Sequence, residues 1–231
     1  MDHFWDKRAR EDAMFFVDDR EPYGNPDEER FWTQGERDLD HVLRKLGARI
    51  EEGDSVVDIG CGIGRLTRVI ASRASEVYAI DVSKEMLAQA KQHNGHLENV
   101  EWIHGDGTTL QPIPNESVEA AISHVVFQHI PDPQITYGYV AEMGRVLRPG
   151  GWAAFQVSDD PTIHQPTQTI GAKAKAAVGR APKGQGDPEW LGSAIDMDQL
   201  EATAHRAKLK FKHVEGEGTQ FCLILARRHG F

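Results

Sequence analysis

The stretch Val56-Val57-Asp58-Ile59-Gly60-Cys61-Gly62-Ile63-Gly64-Arg65-Leu66-Thr67 ends an apolar run in a carboxylate and then places a glycine at every second position. Val56, Val57 and Ile59 read as a short buried strand. Gly60, Gly62 and Gly64 allow a tight turn close to a ligand before a helix begins near Arg65. A Cβ at these glycines is expected to stand where the ligand must lie. The third glycine of a dinucleotide-binding fingerprint would fall at position 65, which is arginine, and this weakens a pyrophosphate reading. Amides of the loop and of the helix N-terminus suit a carboxylate, while Asp58 suits an amine or another cation. The other chemistry-bearing pair is His124 and His129, inside Val118 to Ile130 and ahead of Pro131-Asp132-Pro133. An imidazole titrates near neutrality, so either is a candidate base for taking a proton from a hydroxyl. His164, Asp159 and Asp160 stand in reserve.

Strand-like and helix-like stretches alternate in the order of a doubly wound α/β sheet. Strands are predicted near 55–60, 76–81, 100–105, 118–123, 151–158, 210–216 and 219–227, and helices near 36–47, 64–73, 83–93, 133–147 and 196–208. Glu215-Gly216-Glu217-Gly218 reads as a tight antiparallel hairpin. Leu147-Arg148-Pro149-Gly150-Gly151-Trp152 reads as a tight turn between a helix and the fifth strand. Such sheets bind ligands beyond the carboxyl ends of their strands. Asp81, closing Tyr78-Ala79-Ile80-Asp81, falls there and can accept both hydroxyls of a ribose. Its competing role as a helix cap is weakened because Ser83 is a good cap itself. Asp106, in His104-Gly105-Asp106-Gly107, competes with an Asx turn between two glycines.

Taken in order, Asp58 to Gly64, Tyr78 to Asp81, Val100 to Gly107, Val118 to Ile130 and Leu147 to Trp152 resemble the motifs of class I S-adenosylmethionine-dependent methyltransferases, over about residues 40–158. The resemblance implies a Rossmann-like, three-layer αβα fold on a seven-stranded, mostly parallel sheet with an antiparallel last strand. It implies S-adenosylmethionine as cofactor and S-adenosylhomocysteine as product, held by Asp58, Gly60, Cys61, Gly62, Gly64, Asp81, Val82, Met86, Asp106, Gly107 and Ser123. Val82 and Met86 would flank the adenine, and Asp106 would meet its amino group.

Two segments lie outside that core. Residues 1–35 are expected to form an N-terminal lid that starts with an amphipathic helix from Phe4 to Val17. Among its aromatics Trp5, Phe15, Phe16, Tyr23, Phe31 and Trp32, Tyr23 and Trp32 are the candidates to reach the acceptor. Residues 36–231 form the methyltransferase domain, with an acceptor-recognition insertion at 159–195 that includes an Ala/Lys-rich helix. Gln156, Ser158 and His164 suit a hydroxyl-rich acceptor better than a greasy one.

With 26 Lys and Arg against 36 Asp and Glu, the formal charge is −10, which argues against a nucleic-acid backbone as substrate. The local basic runs, Lys173 to Lys183 and Arg227-Arg228, are short and lack interleaved aromatics. Cys61 and Cys222 read as unpaired thiols, which suits a reducing cytoplasm, and no apolar stretch is long enough for a signal peptide or membrane span. A monomer or homodimer is expected. The expected reaction is methyl transfer to a small molecule, most readily a hydroxyl of a saccharide or natural product, with His129 or His124 as base. The alternatives are N-methylation of a small amine by proximity alone, and a noncatalytic S-adenosylmethionine-binding partner protein. A divalent cation such as magnesium, held by Asp159 and Asp160 with Asp132 or His124, is not favoured by the spacing.

Overall fold

Val56 and Val57 point to opposite faces of one strand and both are fully buried, as in a strand covered on two sides. The computed structural model describes residues 1–165 and 181–230. The Ala/Lys-rich helix expected after Pro161, and most of the Lys173 to Lys183 run, lie outside the described residues. Seven strands form one sheet: β1 Ser55–Ile59, β2 Glu76–Asp81, β3 Val100–His104, β4 Val118–Ser123, β5 Leu147–Val157, β6 Leu209–Glu215 and β7 Cys222–Arg228. Their order is β3-β2-β1-β4-β5-β7-β6, and β7 runs antiparallel to both of its neighbours while the pairs from β3 to β5 are parallel.

The helices are α1 Asp2–Val17, α2 Glu28–Leu46, α3 Thr67–Ala71, α4 Lys84–Asn94, α5 Pro133–Val146, α6 Pro188–Leu191 and α7 Met197–Arg206, among the described residues. On one face of the sheet Val57, Ala121, Phe155 and Ile224 pack with Val140 and Met143 of α5 and Leu200 of α7. On the other, Val56, Ile122, Ala154 and Leu225 pack with Leu39, Val42 and Leu46 of α2 and Ile70 of α3. A separate cluster joins Ala9, Ala13, Phe15 and Phe16 of α1 to Phe31, Ile63 and Met86. These layers are the αβα arrangement expected from the sequence.

Three local expectations are revised. The second helix starts at Glu28, eight residues before its expected start at 36, because Asp27 caps it by accepting from the Arg30 N–H at 3.0 Å. It therefore runs through residue 35, and Gly35 serves close packing there: a Cβ would lie 2.8 Å from the Arg65 carbonyl oxygen. The Pro149-Gly150-Gly151 turn is not ahead of the fifth strand but within it, as a bulge between the pairs Val118–Leu147 and Ala120–Trp152. The last strand begins at Cys222 rather than 219, since Asp159 holds the preceding turn by accepting from the N–H groups of Gly218 and Thr219.

The glycines of the loop after β1 also have a different reason from the one expected. Gly60, Gly62 and Gly64 all have positive φ. A Cβ at each, however, meets protein: Val126 at Gly60, Val17 at Gly62, and Asn94 and Trp102, both at 2.7 Å, at Gly64. Gly64→Ala should combine left-handed strain with overpacking and cost about 2–3 kcal/mol. Urea unfolding with an unchanged m value is the check.

Candidate active site

The loop after β1 is hung from the end of β2. The N–H groups of Gly60 and Cys61 donate to the Ile80 carbonyl, at 2.8 and 3.1 Å. Asp81, the last residue of β2, accepts from the Gly62 N–H at 2.9 Å through one oxygen and from the Ser83 N–H at 2.8 Å through the other. Burial nonetheless pushes the Asp81 carboxyl above its ordinary pKa, with those amides working the other way. Asp58, at 4 % exposure, accepts from the Thr67 hydroxyl at 2.6 Å. Its pKa is raised to about 6 by burial, helped by the nearby Asp81 charge and opposed by Thr67.

Both carboxylates line a cleft with Gly60, Cys61, Gly62, Val82, Met86, Gly105 and Gly107, and Met1, Trp5, Phe16 and Val17 complete the lining. Thus most of the residues expected at the cofactor come together. Three do not line this cleft. Gly64 packs behind the loop, the Ser123 hydroxyl donates to the Ile59 carbonyl at 3.2 Å, and Asp106 is exposed. The Asp106 carboxylate accepts from the N–H groups of Thr108 and Thr109 and from the Thr109 hydroxyl, which is the Asx-turn role.

A second, more polar cavity of about 660 Å³ adjoins the cleft, and Phe16, Val17, Arg65, His124, Val125 and His129 line both. Val125 has φ 58, a left-handed conformation unusual for a β-branched residue, and it fixes the chain between the end of β4 and the 3-10 turn Phe127–His129. Among the described residues no hydrogen bond engages His124, and its Nδ1 is buried without a partner. Burial, with the Arg65 charge, lowers its pKa to about 4. His129 differs. Its Nδ1–H donates to the Trp190 carbonyl at 2.9 Å, and the Gln128 amide donates to its Nε2 at 3.3 Å. Gln128 in turn accepts from the Gln156 amide at 2.5 Å, so a chain of three side chains sets the ring. Burial lowers the His129 pKa too.

Arg65 was read from the sequence only as a departure from a dinucleotide fingerprint, yet it stands where the two cavities meet. It is 3 % exposed and paired with Asp38 at 2.6 Å and Asp18 at 3.6 Å, and Arg20 bridges the same two aspartates. Alternation of apolar and charged residues gave no hint of this cluster, whose members come from three separate segments.

Of the expected acceptor residues, Gln156 lines the second cavity, whereas Ser158 and His164 hydrogen bond to each other at 2.7 Å and are outside its lining. Tyr23 and Trp32 line neither cavity. The Tyr23 hydroxyl donates to Glu11, and Trp32 packs under the Arg68 guanidinium at 3.8 Å. The aromatics of residues 1–35 that do line the site are Trp5 and Phe16. Asp132 and Asp160 cap the N–H groups of Gln134 and Thr162, and Asp159 holds the β6–β7 turn. Among the described residues no group of three His, Cys, Asp or Glu is placed to hold a metal ion.

A cleft over a glycine loop, at the carboxyl ends of β1, β2 and β4 in this strand order, defines a Rossmann-like α/β domain. Residues 57–155, less than half of the chain, match the methyltransferase domain family. The cofactor that the sequence leads one to expect for such a domain is S-adenosylmethionine. An uncharacterised 37.1 kDa transposon protein of Streptomyces fradiae is 40% identical over 114 residues, 48% of this chain and 31% of that protein. Demethylmenaquinone methyltransferase of Staphylococcus aureus is 30% identical over 125 residues, 53% of this chain and 49% of that protein. The chain thus matches half or less of the length of these relatives. A S-adenosylmethionine-dependent methyltransferase structure from Mesorhizobium loti superposes with a TM-score of 0.63 at 21% identity, over 83% of this chain and 97% of that one, a likeness of fold.

The residues present suit that cofactor: the loop backbone is bare at Gly60 and Gly62, and the carboxylates of Asp58 and Asp81 stand beside it. Asp81→Ala should weaken S-adenosylhomocysteine binding by about 1–3 kcal/mol in calorimetry, the cost of lost hydrogen bonds. Asp58→Asn has a second readout. A carboxyl whose folded pKa is raised destabilises the fold increasingly as pH rises from about 4, and the penalty is complete above about 6. The cofactor-free variant should therefore be more stable than the parent by about 2–3 kcal/mol at pH 8, with the difference vanishing near pH 4. Denaturant unfolding at both pH values checks it.

Proposed function

We propose that the protein methylates a hydroxyl of a small molecule, with His124 as the base. The observation that supports this is the place of His124: it lines both cavities at their junction, and among the described residues no hydrogen bond engages its side chain. S-adenosylmethionine, when bound, supplies a methyl group on a positively charged sulfur. Displacement there is in line, so the walls of the second cavity align the acceptor oxygen toward the junction and much of the rate comes from that alignment. His124, neutral above pH of about 4, accepts the hydroxyl proton as the oxygen attacks. His129 acts as a positioning residue, because both its nitrogens are engaged and its ring ties the 3-10 turn to α6. Phe16 and Val17 of α1, which line both cavities, keep water from the junction.

A pKa of about 4 makes His124 a weak base, and this favours a second reading in which an amine acceptor is methylated by proximity alone. Methyl-donor consumption across a panel of sugars, phenols and amines separates the two. On a hydroxyl acceptor His124→Ala should lower kcat by about 10²–10⁴ while S-adenosylhomocysteine affinity stays within about twofold. The parental rate should be level through neutral pH and fall as pH drops through about 4. A parental rate in His124→Ala would leave proximity as the mechanism.

A further inference from the structure

Among the described residues two large hydrophobic side chains are exposed, Ile163 at 38 % and Phe221 at 57 %, and both line the second cavity. Neither belongs to a slack stretch. Next to Ile163, Thr162 is tied to Asp160, and His164 is tied to Ser158 and Leu191. The Phe221 N–H donates to the Thr219 hydroxyl at 3.1 Å, in the turn that Asp159 holds. Two apolar side chains fixed in water on one cavity cost hydration free energy that an apolar ligand would recover.

Deeper in the same cavity the chemistry is different. Gln128 and Gln156 are both nearly fully buried, and the buried Gln156 Oε1 has no partner among the described residues. The lining has two strong cations, Arg20 and Arg65, and each is already paired with Asp18 and Asp38. Asp19 adds one further negative charge to the lining. No lysine or further arginine among the described lining residues remains to meet an anion.

We propose that the acceptor is an uncharged amphiphile, its hydroxyl-bearing head among the glutamines and its apolar chain leaving past Phe221 and Ile163. This rests on the reading of the second cavity as the acceptor site, and the described lining favours an uncharged head over a phosphorylated or carboxylated one. A hydrogen-bonding head fixes orientation, while the chain adds affinity through burial. The saccharide expected from the sequence then serves as a head group rather than as the whole acceptor.

Calorimetry on the S-adenosylhomocysteine-loaded protein tests this with two series below their micelle concentrations, n-alkyl glucosides and 4-n-alkylphenols from butyl to octyl. In at least one series affinity should rise about two- to fourfold with each added methylene. The octyl-to-butyl ratio should fall at least about tenfold in Phe221→Ser and in Ile163→Ser, whose exposed sites leave folding intact, as a thermal melt confirms. The 6-phosphate of the best glucoside should bind at least about tenfold more weakly than its parent. A flat dependence on chain length in both series, an unchanged ratio in both variants, or tight binding of the phosphate overturns the inference. Chain-dependent binding with no methyl transfer to any member leaves it standing and overturns hydroxyl methylation instead. Transfer to short acceptors without chain dependence does the reverse.

Discussion

The site depends on Asp81 holding two backbone amides at once. With one oxygen on Gly62 and the other on Ser83, it joins the glycine loop to the start of α4 and fixes the cleft between them. The arrangement places the half-buried Asp81 carboxylate close to the buried Asp58, and burial raises both pKa values, with the Asp81 charge adding to the shift at Asp58. Two half-compensated anions around a bare backbone are an unfavourable pair on their own. They become favourable when a ligand brings hydroxyls and a positive charge, and this is why the cradle suits a sulfonium nucleoside.

A different electrostatic solution sets the acceptor side. Arg20, Arg65, Asp18 and Asp38 cancel one another, and they join the residues after α1, the middle of α2 and the glycine loop into one wall. Four charges that satisfy each other make a rigid polar surface without a strong field. Asp58 and Asp81 bring two carboxylates to the first cleft, whereas in the neighbouring cavity Asp19 is the one carboxylate of the described lining outside the four-membered cluster.

Much of the fold was legible because its signals are local. The apolar strands, the Ser83 and Asp132 caps and the glycine loop each lie within a dozen residues, and the sheet order follows from their alternation. The cofactor cleft was legible for the same reason, since Asp58, Gly62 and Asp81 belong to consecutive strand ends. Asp106 was not, because an Asx turn and a ligand contact demand the same residue between the same glycines. The acceptor cavity was least legible. Its walls come from α1, α2, the loop after β4, β5 and the β6–β7 turn, and no periodicity in the sequence links Arg65 to Asp38 or Phe221 to Ile163. Tyr23 and Trp32 were credible lid residues by type, but their partners, Glu11 and Arg68, turn them away from the site.

The two halves of the site are also coupled through one glycine. At Gly60 a Cβ would stand 2.4 Å from the Val126 side chain, so the bare backbone there lets the loop after β4 settle against the loop after β1. That close approach accompanies the left-handed backbone of Val125, which carries strain for a β-branched residue and ends the straight course of β4 just after His124. The glycine that opens the cofactor cradle thereby also places the histidine at the junction. Cofactor binding and acceptor chemistry are positioned by the same van der Waals contact, and a side chain at residue 60 would disturb both even if it never touched a ligand.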